Sequence, residues 1–546
     1  LIDQEEIHIR CLSDNPEERI KALDELARNF SLMPDRGKAW SDLIQLTSDG
    51  DSDIRYEATY ALRSAFSDMP DKQQAWNDLI MLACDEDPAV RYVAAHVLGS
   101  TFFHMPDKQE AWDDLFLLTS DEDGDVRSEA VSALNSLFPQ VPDKQQAWND
   151  LHELTNDKDD LVRYEVTSAL GSAFTHVPDK QQAWNDLIVL ASDEDSDIRN
   201  EAASILVTVF SQVPDKEQAW KDLHKLTNDK DRDIRYMAVH VLGSIFSIIP
   251  EKQQAWSDLH RLTSDEDGYV RSGTASVLVS ILPQVPEKQQ AWKDLHKLTS
   301  DKDDFVRFSA ALALGSIFSR VSEKQQAWED LCNLTKDQDD HVRYGAALAL
   351  GSAFPHVPDK EQACNYLHAL RNDRQKYVRT YANHSLGRSF IFQASQAETE
   401  EDYKRELEKA IEFFEKAAQE SEKDNPSQFC LPFYRSFHAI VFKKHETKEE
   451  VEKYLGEAKE AVRDSKNKKL LFEAVENLAN ALIEVQSLGN LELEAKKDEL
   501  SFYRKYCDRA AELIENSEDG ASSVTIILKK GLPILDRNIK ETLRNI

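Results

Sequence analysis

The chain has 546 residues, with 66 Lys and Arg against 100 Asp and Glu, for a formal net charge of −34. Its 16 Gly and 17 Pro fall below the usual roughly 7 % and 5 %, which suits a mostly helical chain. No run of about 18 apolar residues is present to span a membrane, no positively charged apolar secretory signal opens the chain, and the acidic balance opposes general binding to nucleic acid or anionic lipid. The chain begins at Leu1 rather than Met, as a processed chain or a fragment of a longer one would. Cys11, Cys84, Cys332, Cys364, Cys430 and Cys507 lie far apart without a CxxC pair. They read as small packing residues in a reducing, cytoplasmic setting, not as a disulfide or zinc framework.

From about residue 10 the predicted elements repeat every 36 residues. Trp40, Trp76, Trp112, Trp148, Trp184, Trp220, Trp256, Trp292 and Trp328 mark the register, and Cys364 takes the next slot. A fixed period of this size signals a stacked array. A Pro stands six residues before each Trp, with Ser322 the exception, and an acid and a base follow it, as in Asp71-Lys72. Pro and an acid both suit a helix start, so each Pro-Asp-Lys opens the first helix of a unit. Trp76, Leu79 and Ile80 then share its apolar face. An Asp-rich turn follows, such as Asp85-Glu86-Asp87-Pro88, and a second helix begins near Val90-Arg91 with Val90, Ala94, Val97, Leu98 and Phe102 on one face.

An Asp stands four residues before an Arg in nine successive units: Asp51 and Arg55, Asp87 and Arg91, Asp123 and Arg127, Asp159 and Arg163, Asp195 and Arg199, Asp231 and Arg235, Asp267 and Arg271, Asp303 and Arg307, Asp339 and Arg343. The Arg column extends to Arg19 and Arg379, where Asn15 and Gln375 replace the acid. A partly buried guanidinium needs a fork of acceptors, and a carboxylate one turn away supplies them. This Asp-x-x-[VIL]-Arg pattern on helix pairs resembles the HEAT repeats of the PBS-lyase-like subclass, over about residues 10–390. The resemblance implies an all-α fold, an α-α superhelix of about eleven 36-residue helix pairs. It also implies a buried Asp–Arg ladder that is structural rather than catalytic. Segments 141–151 and 177–187 are identical, and the turns alternate with a period of 72, so the array grew by duplication. Such growth lengthens a surface; it does not build an active site.

In HEAT proteins the second helices line the concave face. Positions one, five and eight after each Arg point away from the core by the helical turn. That stripe holds Tyr56, Tyr60, Tyr92, His96, Tyr164, Tyr236, His240, Phe308 and Tyr344, with Gly99 and Gly243 among them. Tyr suits interfaces and Gly admits another backbone, so the stripe is the candidate protein- or peptide-binding groove. The alternative is that the rings cover neighbouring helices and the glycines relieve crowding between them. The acidic turns, such as Asp121-Glu122-Asp123-Gly124-Asp125, lack the downstream bidentate Glu of a calcium loop and read as helix caps, while attracting a basic partner. A His column four after Trp (His152, His224, His260, His296, His368) reads as a half-buried packing position, because repeats about 10 Å apart cannot share a zinc.

Beyond about residue 390 the register stops. Residues 391–546 read as an α-helical domain, weakly similar to tetratricopeptide helices at 408–421, with helices expected at 399–423, 427–444, 447–465, 467–488, 490–516 and 535–545. Val524–Leu528 fits a short strand or a buried helix start. The 1–390 array and this block are the two expected domains. No phosphate-binding, zinc-protease or nucleophile-elbow motif is present, and the His-Glu pairs of HEAT-like hydroxylases are incomplete at His152-Glu153 and His445-Glu446. The expectation is a non-catalytic scaffold binding a protein or peptide, without cofactor or metal. A sensor region of a larger signalling or defence protein and a bilin lyase are the alternatives. The family resemblance and the acidity suggest a prokaryotic source.

Overall fold

The computed structural model of the protein describes residues 3–420, 425–442 and 523–545, with isolated positions 453, 456, 473, 475–477, 480 and 509. Among them every regular element is helical. Helices α1 (Gln4–Cys11) and α2 (Pro16–Asn29) form the first pair, and pairs recur through α21 (Lys360–Leu370) and α22 (Lys376–Gln396), eleven in the described residues. The chain divides into two compact units, residues 1–259 and 260–546. Within each unit successive second helices stack on one another, the arrangement of a solenoid.

One pair shows why the sequence folds this way. Asp71 caps the helix Lys72–Leu82 by accepting the Gln74 N–H, so Pro70 lies just outside the helix rather than in its first turn. Lys72 turns back instead of reaching solvent: its Nζ donates to the carbonyls of Phe66, Ser67 and Met69 at 2.9, 2.8 and 2.6 Å, over the Phe66 ring. These carbonyls lie at and just past the end of the preceding helix, and that of Phe66 also accepts the Met69 N–H. Lys108 and Lys180 repeat the arrangement, and burial lowers the pKa of Lys72 and Lys108. Ala75, Trp76 and Leu79 are fully buried, as are Val90, Ala94, Val97, Leu98 and Phe102 of the second helix, while Ile80 is only half-buried. Trp40, Trp112 and Trp184 meet a Phe edge-on, Trp112–Phe138 at 6.0 Å and Trp184–Phe210 at 5.8 Å. Replacing such a Trp by Ala costs about 3–5 kcal/mol.

The glycine column faces the next second helix. A Cβ on Gly99 would stand 2.5 Å from Ala133 Cβ, and one on Gly315 would stand 2.5 Å from Ala349 Cα. The backbone that these glycines admit is therefore that of the neighbouring repeat.

The helices after the repeats pack on the last pair. Helix α23 (Glu400–Glu420) supplies Phe414 against Gly387, and α24 (Ser427–Phe442) follows after Asn425, whose side chain accepts the Ser427 N–H. Helix α25 (Ser523–Asn545) contains Val524–Leu528, which is thus a helix start with Ile527 and Leu528 buried, not a strand. Tyr403 Oη donates to the Ile527 carbonyl at 2.8 Å. The helices expected at 447–465, 467–488 and 490–516 lie outside the continuously described residues. No described helix is long and apolar enough to cross a membrane.

Candidate functional site

The second helices all begin on the same framework. Each of Asp51, Asp87, Asp123, Asp159, Asp195, Asp231, Asp267, Asp303 and Asp339 caps its own helix, accepting the N–H two residues on. The Arg of the pattern points elsewhere. Arg91 holds Asp121 of the next repeat through Nε and Nη2 at 2.8 and 2.9 Å, and donates Nη1 to the Asp85 carbonyl at 2.9 Å. Arg127–Asp157, Arg163–Asp193, Arg271–Asp301, Arg307–Asp337 and Arg343–Asp373 repeat this fork.

The ladder acids therefore stand six, not four, residues before an Arg, and belong to the following unit. Stacking sets each guanidinium against the start of the next turn, which the spacing within one unit does not show. Arg55 with Asp87 and Arg199 with Asp233 are variants of the pairing. Arg379 closes the series on Glu420 of α23, at 3.2 and 3.0 Å. Burial opposes the charge on Asp121 and Asp193, but the Arg hydrogen bond and a backbone N–H outweigh it and hold both carboxyls below the ordinary value.

A second ladder links the first helices. Trp40, Trp76, Trp112 and Trp148 donate Nε1 to Asp78, Asp114, Asp150 and Asp186 of the next repeat, at 2.8 to 3.0 Å. The acid is the second residue after each Trp. The His column serves it too: His224, His260 and His296 place Nδ1 2.6 Å from Asp258, Asp294 and Asp330. These histidines are more than packing residues, since each joins two repeats. His368 instead packs on Phe413 at 5.6 Å. Burial pushes Asp150, Asp186 and Asp330 up despite these bonds.

The stripe lies outside both ladders. Tyr56, Tyr60, Tyr92, Tyr164 and Tyr236 are exposed, from 36 % to 45 %, and His240 is exposed too; His96, Phe308 and Tyr344 are half-buried. In the first unit Tyr60 stacks on His96 at 6.2 Å, and His96 Nδ1 lies 2.8 Å from Glu129. Burial, then the Glu129 carboxylate, pushes the Tyr92 hydroxyl up to about 12. Glu165, one repeat on, is pushed up by burial and then by Glu129. Beyond it a cleft of about 520 Å³ opens between the helices Asp160–Ala173 and Ser196–Val209, lined by Asp160, Leu161, Tyr164, Asp197, Asn200 and Glu201.

In the second unit the stripe gains rings that the columns chosen from the sequence missed. Tyr269 meets Phe305 at 5.6 Å, Phe305 meets Phe308 at 6.3 Å, Phe308 meets Tyr344 at 5.8 Å, and Tyr344 meets Tyr381 at 4.7 Å. His341 and Tyr377 adjoin the row at 5.4 Å from each other. The signal was available two residues before and two after each Arg. The earlier column reads Asp53, Ala89, Asp125, Leu161, Asp197 and Asp233, then Tyr269, Phe305, His341 and Tyr377. The later one holds Glu57, Glu129, Glu165 and Glu201, then Gly273, Ser309, Gly345 and Tyr381.

Comparison with known proteins agrees with the helix pairs. Residues 41–135, 77–171 and 112–206 match the family of HEAT repeats, and residues 218–484 match the sister chromatid cohesion protein PDS5 family. No curated protein matches this sequence. Among solved structures, importin beta in a polyethylene glycol condition is similar at 13 % identity and a TM-score of 0.57, over 99 % of this chain and 82 % of that one. Yeast importin-beta (Kap95p) is similar at 14 % and 0.53, over 99 % and 73 %. Kap121p bound to Pho4p is similar at 13 % and 0.51, over 97 % and 58 %. At these identities the likeness concerns the fold.

Proposed function

We propose that this chain, a HEAT-repeat protein, is a non-catalytic scaffold that binds a protein or peptide along the exposed face of its second helices. The observation that carries this reading is the run of exposed tyrosines at equivalent positions of the second helices. The ladder acids and arginines are engaged with one another, and Gly99 and Gly315 are met by the neighbouring second helix, whereas Tyr56, Tyr60, Tyr92, Tyr164 and Tyr236 stay exposed. Tyr offers large, rigid contact area with a polar tip, the composition of binding hot spots. The HEAT solenoids that it resembles include one bound to a protein, Pho4p, which supports the same use here.

Tagged full-length chain and a Tyr92→Ala/Tyr236→Ala variant, compared by affinity purification from the native cell and mass spectrometry, test the reading. Partners retained by the wild type should be lost from the variant while its helical signal and melting are kept. Unchanged capture by a folded variant would sink the proposal.

A further inference from the structure

The two units differ sharply in charge. Residues 1–259 contain 51 Asp and Glu against 24 Lys and Arg, a net −27, whereas residues 260–396 contain 17 of each. The acidity of the repeats thus belongs to the first unit, mostly in its turns and first helices; on the helices that carry the exposed tyrosines it is concentrated beside Tyr164, at Asp160 and Glu165, with Asp197 and Glu201 on the next second helix.

We propose that the tyrosine-lined face of the first unit docks a lysine- and arginine-rich segment of a partner protein, extended along the second helices, with one cationic side chain seated in the cleft beside Tyr164. This rests on the reading that the second-helix face binds protein, and it names the partner's chemistry. Three observations support it.

The first is aromatic. Leu161 and Tyr164 are 45 % and 36 % exposed at the cleft, giving an apolar wall for the stem of a long cationic side chain and a ring face for its head. The second is charge. Among the described residues no cation stands within salt-bridge distance of Glu165, Asp197 or Glu201, although the ladder acids a few residues away are each held by an Arg. Glu165 is half-buried next to the field of Glu129, a like-charge neighbour that a bound cation would relieve. The third is continuity: Tyr60, His96 and Glu129 form one connected surface over three successive repeats, leading towards Glu165 and the cleft. Arg63 stands at the start of this surface, 3.3 Å from His96 Nε2, so the repulsion that an acidic segment or a nucleic acid would meet is concentrated from Glu129 to the cleft.

Spacing adds a requirement. A polyproline-II segment turns once in three residues, about 9.3 Å. Packed helices stand about 8–10 Å apart. One cation in every third position would therefore present one charge to each repeat.

The test uses the purified full chain and a fluorescent peptide with Arg at every third position, read by anisotropy. A peptide with Glu at those positions is the charge control. Glu165→Gln/Glu201→Gln keeps side-chain size and removes charge; Tyr164→Ala removes the ring; Phe305→Ala/Tyr344→Ala alters the second unit only. The Arg peptide should bind and the Glu peptide should not. The Gln variant should weaken binding about tenfold with unchanged melting, and added salt should do the same. The Phe305 and Tyr344 variant should bind like wild type. Equal binding of the two peptides, full binding by the Gln variant, or no binding of the Arg peptide would overturn the inference. If the Arg peptide fails while cellular partners are still lost on Tyr92→Ala/Tyr236→Ala, this inference falls and the scaffold reading stands.

Discussion

The repeats of the first unit and those of the second share one framework and present different surfaces. Arg163 on Asp193 and Arg307 on Asp337 have nearly the same bond lengths, 2.8 and 3.0 Å against 2.8 and 2.9 Å. Yet the residue two before the Arg is Leu161 in one and Phe305 in the other, and the residue two after it is Glu165 or Ser309. Duplication kept the Arg and Trp columns that bind one repeat to the next, while the columns two before and two after each Arg changed character between the units. A column that changes on a backbone that does not is where the two surfaces can differ in what they bind.

The largest expected effect tests the shared part. Arg163→Ala and Arg307→Ala each leave a buried carboxylate without its cation, and each should cost about 3–5 kcal/mol in urea unfolding. A large cost in one unit and none in the other would break the claim of a common framework. Gly99→Ala and Gly315→Ala should come next, at about 1–3 kcal/mol from overpacking against Ala133 and Ala349. Free accommodation of both would mean that the glycines face open space after all.

Acid provides a test that acts on both units together. Asp121, Asp193, Asp301, Asp337 and Asp373 have folded pKa values below the ordinary 3.8, so their contribution is present above that value and is lost as pH falls through the folded pKa. Asp150, Asp186 and Asp330 are raised, so the fold binds their protons more tightly than the unfolded chain does and gains stability as pH falls towards them. The melting temperature should hold or rise from pH 7 to 5 and drop steeply below about pH 3.8. A steady decline that begins at neutral pH would contradict this assignment. The smallest effect belongs to the surface columns: Tyr60→Ala and Phe305→Ala, at 45 % and 48 % exposure, should change stability by no more than about 0.5 kcal/mol in thermal melts.

Much of this was legible in the sequence, for physical reasons. The Trp, Pro-Asp-Lys and Arg columns are local and periodic, so they give the helix pairs, their caps and their buried faces directly. What escaped depends on contacts between units. The Asp column six before each Arg is as regular as the one four before it, but only stacking shows that Arg91 reaches Asp121 rather than Asp87. The same holds for Trp112 on Asp150 and for His296 on Asp330. On the face, the tyrosines were visible one and five residues after the Arg. Leu161, Glu165 and Glu201 were not singled out, because a lone Leu or Glu on a helix surface is ordinary until a cleft gathers them. Beyond the repeats no period helps: Tyr403 meets Ile527 across more than a hundred residues, a contact that no local pattern announces.

Hydrogen exchange of the full chain, with and without the Arg-bearing peptide, asks whether one framework takes up a basic segment on the first unit alone. New protection is expected in the second helices around Tyr92, Leu161–Glu165 and Asp197–Glu201, and none around Tyr269–Tyr381. Protection confined to the first helices, or centred on the aromatic row of the second unit, would contradict this.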